Sequence, residues 1–365
     1  MTVVVSRVLP RSTQALFVSY SGALGGAERI LLDRAQALPG PVALGCPPGP
    51  LADSARGLGL QVCLLTARRA ELRESARDRA AAPLRLAAQA AEVRAAVLRL
   101  RPRCVIGWSM RGLLSSAAAL TTVRSAPPLV FAHNDLMPSA GVARVVRAAA
   151  RRCAAVVALS AAIADDLGLP ATVIHPGVDL ERFSKAPPAE GAHVLVLGAI
   201  VGWKRPDLAL EIAARSSFTL HLAGAPLDDA GQDLLARLRA RADRPDLRGR
   251  VQIPGHGEDA AAALEHATCL LHCADREPFG LVMAEALASG RPVVAPAAGG
   301  PLEIVDGSCG ALYRPGDAEA GARALSEVLE RAPELGASAR ARARELFDVT
   351  VSNRRFAELI AGLAR

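Results

Sequence analysis

The sequence predicts an α/β protein built from two doubly wound, parallel-sheet domains. Three observations carry this. The chain has 365 residues, and at roughly 150 residues per domain that makes two domains. Hydrophobic residues are 51% and charged residues 22%, the balance of a packed globular protein. Short apolar runs alternate with longer amphipathic ones, which is the pattern of βαβ units.

Strands of the first series are expected at 15–20, 42–46, 61–65, 104–108, 129–132, 155–159 and 172–174. Helical stretches fall between them at 27–38, 84–100, 112–122, 142–152 and 161–167. The pattern breaks at His175-Pro176-Gly177-Val178-Asp179 and a polar, proline-bearing stretch to Gly191. A second series then places strands at 193–198, 219–223, 251–253, 268–272, 292–295 and 311–313. Its helices are expected at 207–215, 230–241, 259–266 and 281–288. The tail from 317 to 365 reads as helical, with breaks near Pro333 and Phe347. Two such domains are expected to face each other across a cleft at the carboxyl ends of their strands, where open α/β sheets bind ligands.

Only 3% of residues are aromatic, so Ala, Leu and Val must fill the core. The formal charge is +7, and almost every cation is Arg; the two lysines are Lys185 and Lys204. Residues 1–185 carry 23 basic and 12 acidic side chains, whereas residues 186–365 carry 20 and 24. A basic first half suits a phosphate or a lipid surface. Nucleic acid is disfavoured, because no reading motif is visible and stacking aromatics are scarce. The seven cysteines sit mostly in apolar runs and read as buried thiols rather than metal ligands, Cys269-Leu270-Leu271-His272-Cys273 included. With no secretory leader pattern and no apolar stretch of membrane-spanning length, a reducing cytoplasm is the expected home.

Four constellations can carry chemistry. Ser21-Gly22-Ala23-Leu24-Gly25-Gly26-Ala27-Glu28-Arg29 joins a strand to a helix, where backbone N–H groups can approach a phosphate. It matches neither G-x-G-x-x-G nor a Walker loop, and a plain tight turn stays open. Phe131-Ala132-His133-Asn134-Asp135 puts polar groups at a strand's carboxyl end, expected to point into the cleft. Lys204-Arg205, at a helix start fixed by Trp203 and Pro206, suits a diphosphate. In Glu277-Pro278-Phe279-Gly280-Leu281-Val282-Met283-Ala284-Glu285, a Phe-Gly turn opens a helix and two glutamates stand eight apart. The helix N-terminus can hold a phosphate, Glu285 can accept two hydrogen bonds from a ribose diol, and Glu277 can reach a sugar hydroxyl. Surface glutamates beside a buried helix conflict with the apolar neighbours Leu281, Val282, Met283 and Leu287.

Together these residues resemble the retaining, nucleotide-sugar-dependent glycosyltransferases of family four, which have the GT-B fold. Glu277 and Glu285 stand as the family's E-x7-E pair. Gly25-Gly26-Ala27-Glu28-Arg29, His175-Pro176-Gly177-Val178-Asp179, Ala288-Ser289-Gly290-Arg291-Pro292-Val293-Val294, Gly299-Gly300-Pro301 and Glu303-Ile304-Val305 follow the family's order. The resemblance implies an acceptor-binding domain at 1–185 and a nucleotide-sugar domain at 186–349, with the last helix, about 350–365, packing back on the first. It implies that Lys204 binds the donor diphosphate and Glu285 the ribose hydroxyls. Glu277 with Phe279, Gly280 and Leu281 would hold the transferred sugar and phosphates. His133 would sit beside the sugar, and Gly25 and Gly26 would approach the phosphates. Where the family has Gly-Arg after the first strand of the second domain, this chain has Gly198-Ala199, and Arg205 is the candidate substitute.

The reaction so implied transfers a sugar with retained configuration to an acceptor hydroxyl, with no cofactor and no metal: no Asp-x-Asp pair is evident. The partners implied are a nucleotide sugar and a small natural product or lipid-linked acceptor from the cell envelope. Arg68, Arg69, Arg73, Arg77, Arg79 and Arg85, leading into the helix at 84–100, could rest on an anionic inner membrane face or form a solvated surface. Competing readings are a GT-B epimerase, a non-catalytic nucleotide-sugar binder and a nicotinamide dehydrogenase. The last lacks its glycine fingerprint, and neither lysine suits a pyridoxal-dependent phosphorylase.

Overall fold

The computed structural model of the chain describes residues 13–67, 76–183 and 191–363. It divides into two compact units: one holds the chain to Leu159, Ile163–Ile174 and the segment from Asn353; the other holds Ser160–Ala162 and His175–Ser352. The expected boundary at 185/186 lies outside the described residues, as do Arg68, Arg69, Arg73 and the side chains of Arg77 and Arg79.

The first part of the chain runs β1 (Ala15–Val18), α1 (Gly26–Ala37), β2 (Val42–Cys46), α2 (Pro50–Gly57), β3 (Gln61–Leu64), α3 (Ala76–Leu100), β4 (Cys104–Trp108), α4 (Ser109–Leu120), β5 (Leu129–His133), α5 (Ala140–Ala150), β6 (Ala155–Ala158), α6 (Ala161–Leu167) and β7 (Thr172–Val173). Its strands form one parallel sheet in the order β3-β2-β1-β4-β5-β6-β7. The second part runs α7 (Leu180–Phe183), β8 (His193–Leu197), α8 (Pro206–Ala213), β9 (Thr219–Ala223), α9 (Asp229–Ala242), β10 (Val251–Gln252), α10 (Ala260–Glu265), β11 (Cys269–Leu271), α11 (Leu281–Ala288), β12 (Val293–Pro296), α12 (Pro301–Ile304), β13 (Gly310–Tyr313), α13 (Ala318–Leu346) and α14 (Val349–Leu363). Its sheet is also parallel, in the order β10-β9-β8-β11-β12-β13.

The central strands β1, β2, β4 and β5 are buried at every residue, as a parallel sheet covered on both faces requires. In both sheets the order of strand addition reverses, between β1 and β4 and between β8 and β11. In doubly wound folds the ligand crevice opens outside the carboxyl ends of the strands at that reversal. The fold therefore directs attention to the residues that follow Leu197 and Leu271.

The expected elements are present, with three differences. Pro333 does not break the tail: α13 runs unbroken through it to a C-cap at Phe347. The proline is exposed, while Ala332, Leu335 and Ala339 are buried around it, so packing outweighs one lost hydrogen bond. The short helices α2, α7 and α12 are not among the expected elements; α2 and α12 carry Pro in their first turn, where its fixed φ starts a helix. Finally, α3 begins at Ala76 and contains Pro83, so it starts eight residues before the expected Leu84. No helix among the described residues is long and apolar enough to cross a membrane.

Candidate active site

Strand β8 ends against Gly198, whose φ of 146° suits glycine. The Lys204 side chain lies across it: a Cβ on Gly198 would stand 3.4 Å from Lys204 Nζ. A 3-10 turn, Gly202–Lys204, delivers that lysine, and its ammonium sits 4.8 Å from the centre of the Trp203 ring. Arg205 follows in the left-handed region, φ 52°, and Pro206 opens α8. Arg205 does not stand ready for a diphosphate. Its Nη1 donates to Asp275 Oδ2 at 2.9 Å and its Nη2 to Asp207 Oδ2 at 3.0 Å, so two carboxylates hold its charge. Ala199 lines a void of about 20 Å³ with Lys204 and His272, room for one water and not for a guanidinium.

The other side of the site follows β11. Buried Glu277 places Oε2 3.1 Å from His272 Nε2 and 3.6 Å from Lys204 Nζ. The His272 contact is short but misaligned, and neither Nε2 nor Oε2 completes a hydrogen bond. Burial alone would push this carboxyl up; His272 and the Lys204 ammonium outweigh it and hold the pKa down to about 2. Glu277 is thus a buried, fully ionised carboxylate with an unfilled lone pair, beside a cation. Such a group calls for a hydrogen-bond donor from a ligand.

The chain then turns through Pro278, Phe279 and Gly280 into α11. Phe279 is buried between His175 and Phe347, with ring centres 5.6 and 5.7 Å away, so it anchors the turn and offers a ligand only its backbone. Gly280 is the N-cap at φ 98°, and a Cβ there would crowd Glu277 Cγ at 3.1 Å. The first N–H groups of α11 lack helical acceptors and form an anion-favouring terminus. Gly300 closes the back: its N–H donates to the Glu277 carbonyl at 2.9 Å, and a Cβ would overlap the Phe279 backbone. On α11 the half-exposed residues are Leu281, Val282 and Glu285, one face of an otherwise buried helix. Glu285 is that helix's sole charged residue.

The first unit's candidates differ from expectation. The Gly25 N–H is taken by the Glu28 carboxylate at 3.1 Å, so the protein's own anion sits where a phosphate was expected. Gly26 begins α1 beside it. His133 does not present an open polar group at the end of β5. Its ring is fully buried, stacks on Phe131 at 4.7 Å, and has no partner for either nitrogen. Burial lowers its pKa to about 4, against a small upward pull from Asp166. Because that value lies below the unfolded 6.5, the unfolded chain protonates first, and stability falls as pH drops from 6.5 toward 4. At pH 5 this group costs about 2 kcal/mol relative to pH 7.5. Urea unfolding at the two pH values is expected to show that loss in the wild type and a smaller one in His133→Phe; equal slopes would contradict the assignment.

In the sequence His272 stands out only as a weak metal-ligand candidate between Cys269 and Cys273. Its signal was its place as the last residue of an apolar strand run. Also unforeseen are Asp207 and Asp275, which hold Arg205, and Ser109. That serine follows β4 at the first sheet's reversal, with φ 67° and a buried hydroxyl that lacks a partner. All seven cysteines are unpaired, and among the described residues no three His, Cys, Asp or Glu side chains converge as a metal site.

Residues 24–182 match the family described as Glycosyltransferase Family 4, and residues 178–346 match Glycosyl transferases group 1. The chain has the GT-B fold, and each half of it matches a glycosyltransferase family. Over 177 residues it is 36% identical to the D-inositol 3-phosphate glycosyltransferase of Mycolicibacterium smegmatis, covering 44% of this chain and 40% of that one. Over 193 residues it is 37% identical to the enzyme of the same name from Geodermatophilus obscurus, covering 46% and 42%. The chain thus aligns with less than half the length of these curated relatives. The fold match is broader. The crystal structure of Anabaena HepE with UDP and glucose superposes with a TM-score of 0.83 at 25% identity, over 96% of this chain and 100% of that one. Sucrose-phosphate synthase from Thermosynechococcus elongatus shares the fold at 0.81 and 19% identity, over 96% and 99%.

Proposed function

We propose that this GT-B protein is a retaining glycosyltransferase that moves a sugar from a UDP-sugar to an acceptor hydroxyl. One observation carries the reading: the buried, ionised Glu277 stands 3.6 Å from Lys204, immediately before the glycine-capped start of α11. This pairs a group able to accept from sugar hydroxyls with two sources of positive potential for a diphosphate. The crystallised complexes of Anabaena HepE with UDP and with UDP-glucose support a uridine donor.

In this reading the anomeric carbon–phosphate oxygen bond breaks while the acceptor oxygen bonds to the same face of the anomeric carbon. The acceptor's proton passes to the leaving phosphate oxygen. Negative charge grows on that diphosphate, and Lys204 with the α11 N–H groups opposes it without reorganising. Glu285 takes the ribose diol, and Arg205 acts only through Asp207 and Asp275. In the first unit, His133 is a neutral ring, and Gly25 and Gly26 contribute only once Glu28 gives way. The acceptor is a small polyol, natural product or cell-envelope precursor.

The test is UDP release from UDP-glucose over a panel of acceptors that includes D-inositol 3-phosphate, with and without EDTA. Turnover is expected to need an acceptor and to survive EDTA. Activity that EDTA abolishes and magnesium or manganese restores would move the diphosphate charge onto a metal ion.

A further inference from the structure

A cavity of about 440 Å³ lies in the first unit at the amino ends of β4 and β5, the opposite end of those strands from Ser109 and His133. Val97, Leu98, Arg101, Pro102, Arg103, Val123, Arg124, Ser125 and Pro127 line it, and none is acidic. The three arginines are exposed, and no hydrogen bond or ion pair engages their side chains among the described residues. The sequence around them is one-signed: residues 93–134 hold six arginines and no Asp or Glu. We propose that Arg101, Arg103 and Arg124 form a binding site for a phosphate group, separate from the second unit's candidate diphosphate site.

Charge decides the argument. Three guanidinium groups share one concavity, and like charges in one cavity repel unless something balances them. The ends of α3 and α4 face this region and offset about half a charge each. Roughly two positive charges remain. Planar guanidinium forks match phosphate oxygens two at a time, so a phosphate monoester or diester supplies both the charge and the geometry. The backbone agrees. Among the described residues, four that are not glycine have positive φ: Arg101 at 49°, Ser109 at 67°, Ser125 at 55° and Arg205 at 52°. Two of the four line this cavity, and Arg101 takes that conformation as it closes α3, its N–H donating to the Val97 carbonyl at 2.9 Å, which fixes it at the helix end beside the cavity. Leu98, 46% exposed on the rim, lets the phosphate belong either to a soluble ester or to a lipid headgroup.

The experiment measures binding of sn-glycerol 3-phosphate by calorimetry. In parallel, it measures sedimentation with vesicles of phosphatidylcholine containing phosphatidylglycerol. The proteins are the full chain, Arg124→Gln, Arg103→Gln/Arg124→Gln and Lys204→Ala, each checked for an unchanged thermal midpoint. Each arginine removed is expected to weaken binding about tenfold or more. A loss seen with the soluble ester identifies a soluble phosphate. A loss seen only with vesicles identifies the headgroup. Arg124 sits on an exposed turn, so the single variant keeps the test intact if the double does not fold. Absence of binding to both probes, or binding that neither variant weakens, overturns the proposal. Loss on Lys204→Ala instead would place the phosphate at α11 and overturn it equally.

Discussion

Lys204→Ala is expected to lower kcat by about 10²–10³, or about 2.7–4 kcal/mol, the usual effect of removing one preorganised group that faces developing charge. The size follows from what surrounds the lysine. Arg205, its neighbour, is held by Asp207 and Asp275, and position 199 carries no guanidinium. Lys204 is therefore the cation next to Glu277 and cannot be covered by a substitute. Lys204→Arg is not expected to rescue turnover. The ammonium sits 4.8 Å from the centre of the Trp203 ring and beside Gly198, and a longer, planar guanidinium does not put its charge at the same point. Single-turnover kinetics with UDP-glucose checks both variants. Near-normal rates in Lys204→Ala would move the diphosphate elsewhere.

Glu277→Ala is expected to damage both turnover and stability. The carboxylate is 8% exposed and faces Lys204 and His272. Removing one partner of a buried ionic group leaves the others uncompensated, at about 3–5 kcal/mol when both charges are buried. Lys204 keeps 25% of its side-chain surface, so the expected cost is the lower part of that range or less. In the proposed reading Glu277 holds the sugar that moves, so kcat should fall with little change in affinity for free UDP. The double variant Lys204→Ala/Glu277→Ala should be more stable than Glu277→Ala alone, since it removes the stranded cation. Urea midpoints for the four members of this cycle test it, and additive losses would show that the pair is not coupled.

Much of this was legible in the sequence, for identifiable reasons. Strands such as 42–46, 104–108 and 219–223 match the structure because an apolar run bounded by glycine, proline or charge has few other uses. Helix 281–288 was bounded correctly by Gly280 and by Ser289-Gly290. Glu277 and Glu285 stood out because carboxylates beside Leu281, Val282 and Met283 need partners. What escaped was tertiary. The return of Glu28 onto the Gly25 N–H is a capping contact that their three-residue spacing already allows, whereas nothing local shows that β5 buries His133 whole. The carboxylates that hold Arg205 lie two and seventy residues from it in sequence. Pro333 misled because its exposed position on α13 depends on which helix face meets the core.

The most direct test of the central claim is calorimetric titration of UDP, in EDTA, into the wild type and Glu285→Ala. The claim is that the carboxyl end of the second sheet, at Lys204, Glu277 and α11, receives the donor. The wild type is expected to bind UDP without metal. Glu285→Ala should bind it about 10- to 100-fold more weakly, the loss of a charge-assisted hydrogen bond to the ribose. Equal affinity in the two proteins, or no binding by the wild type until a divalent ion is added, would contradict the account.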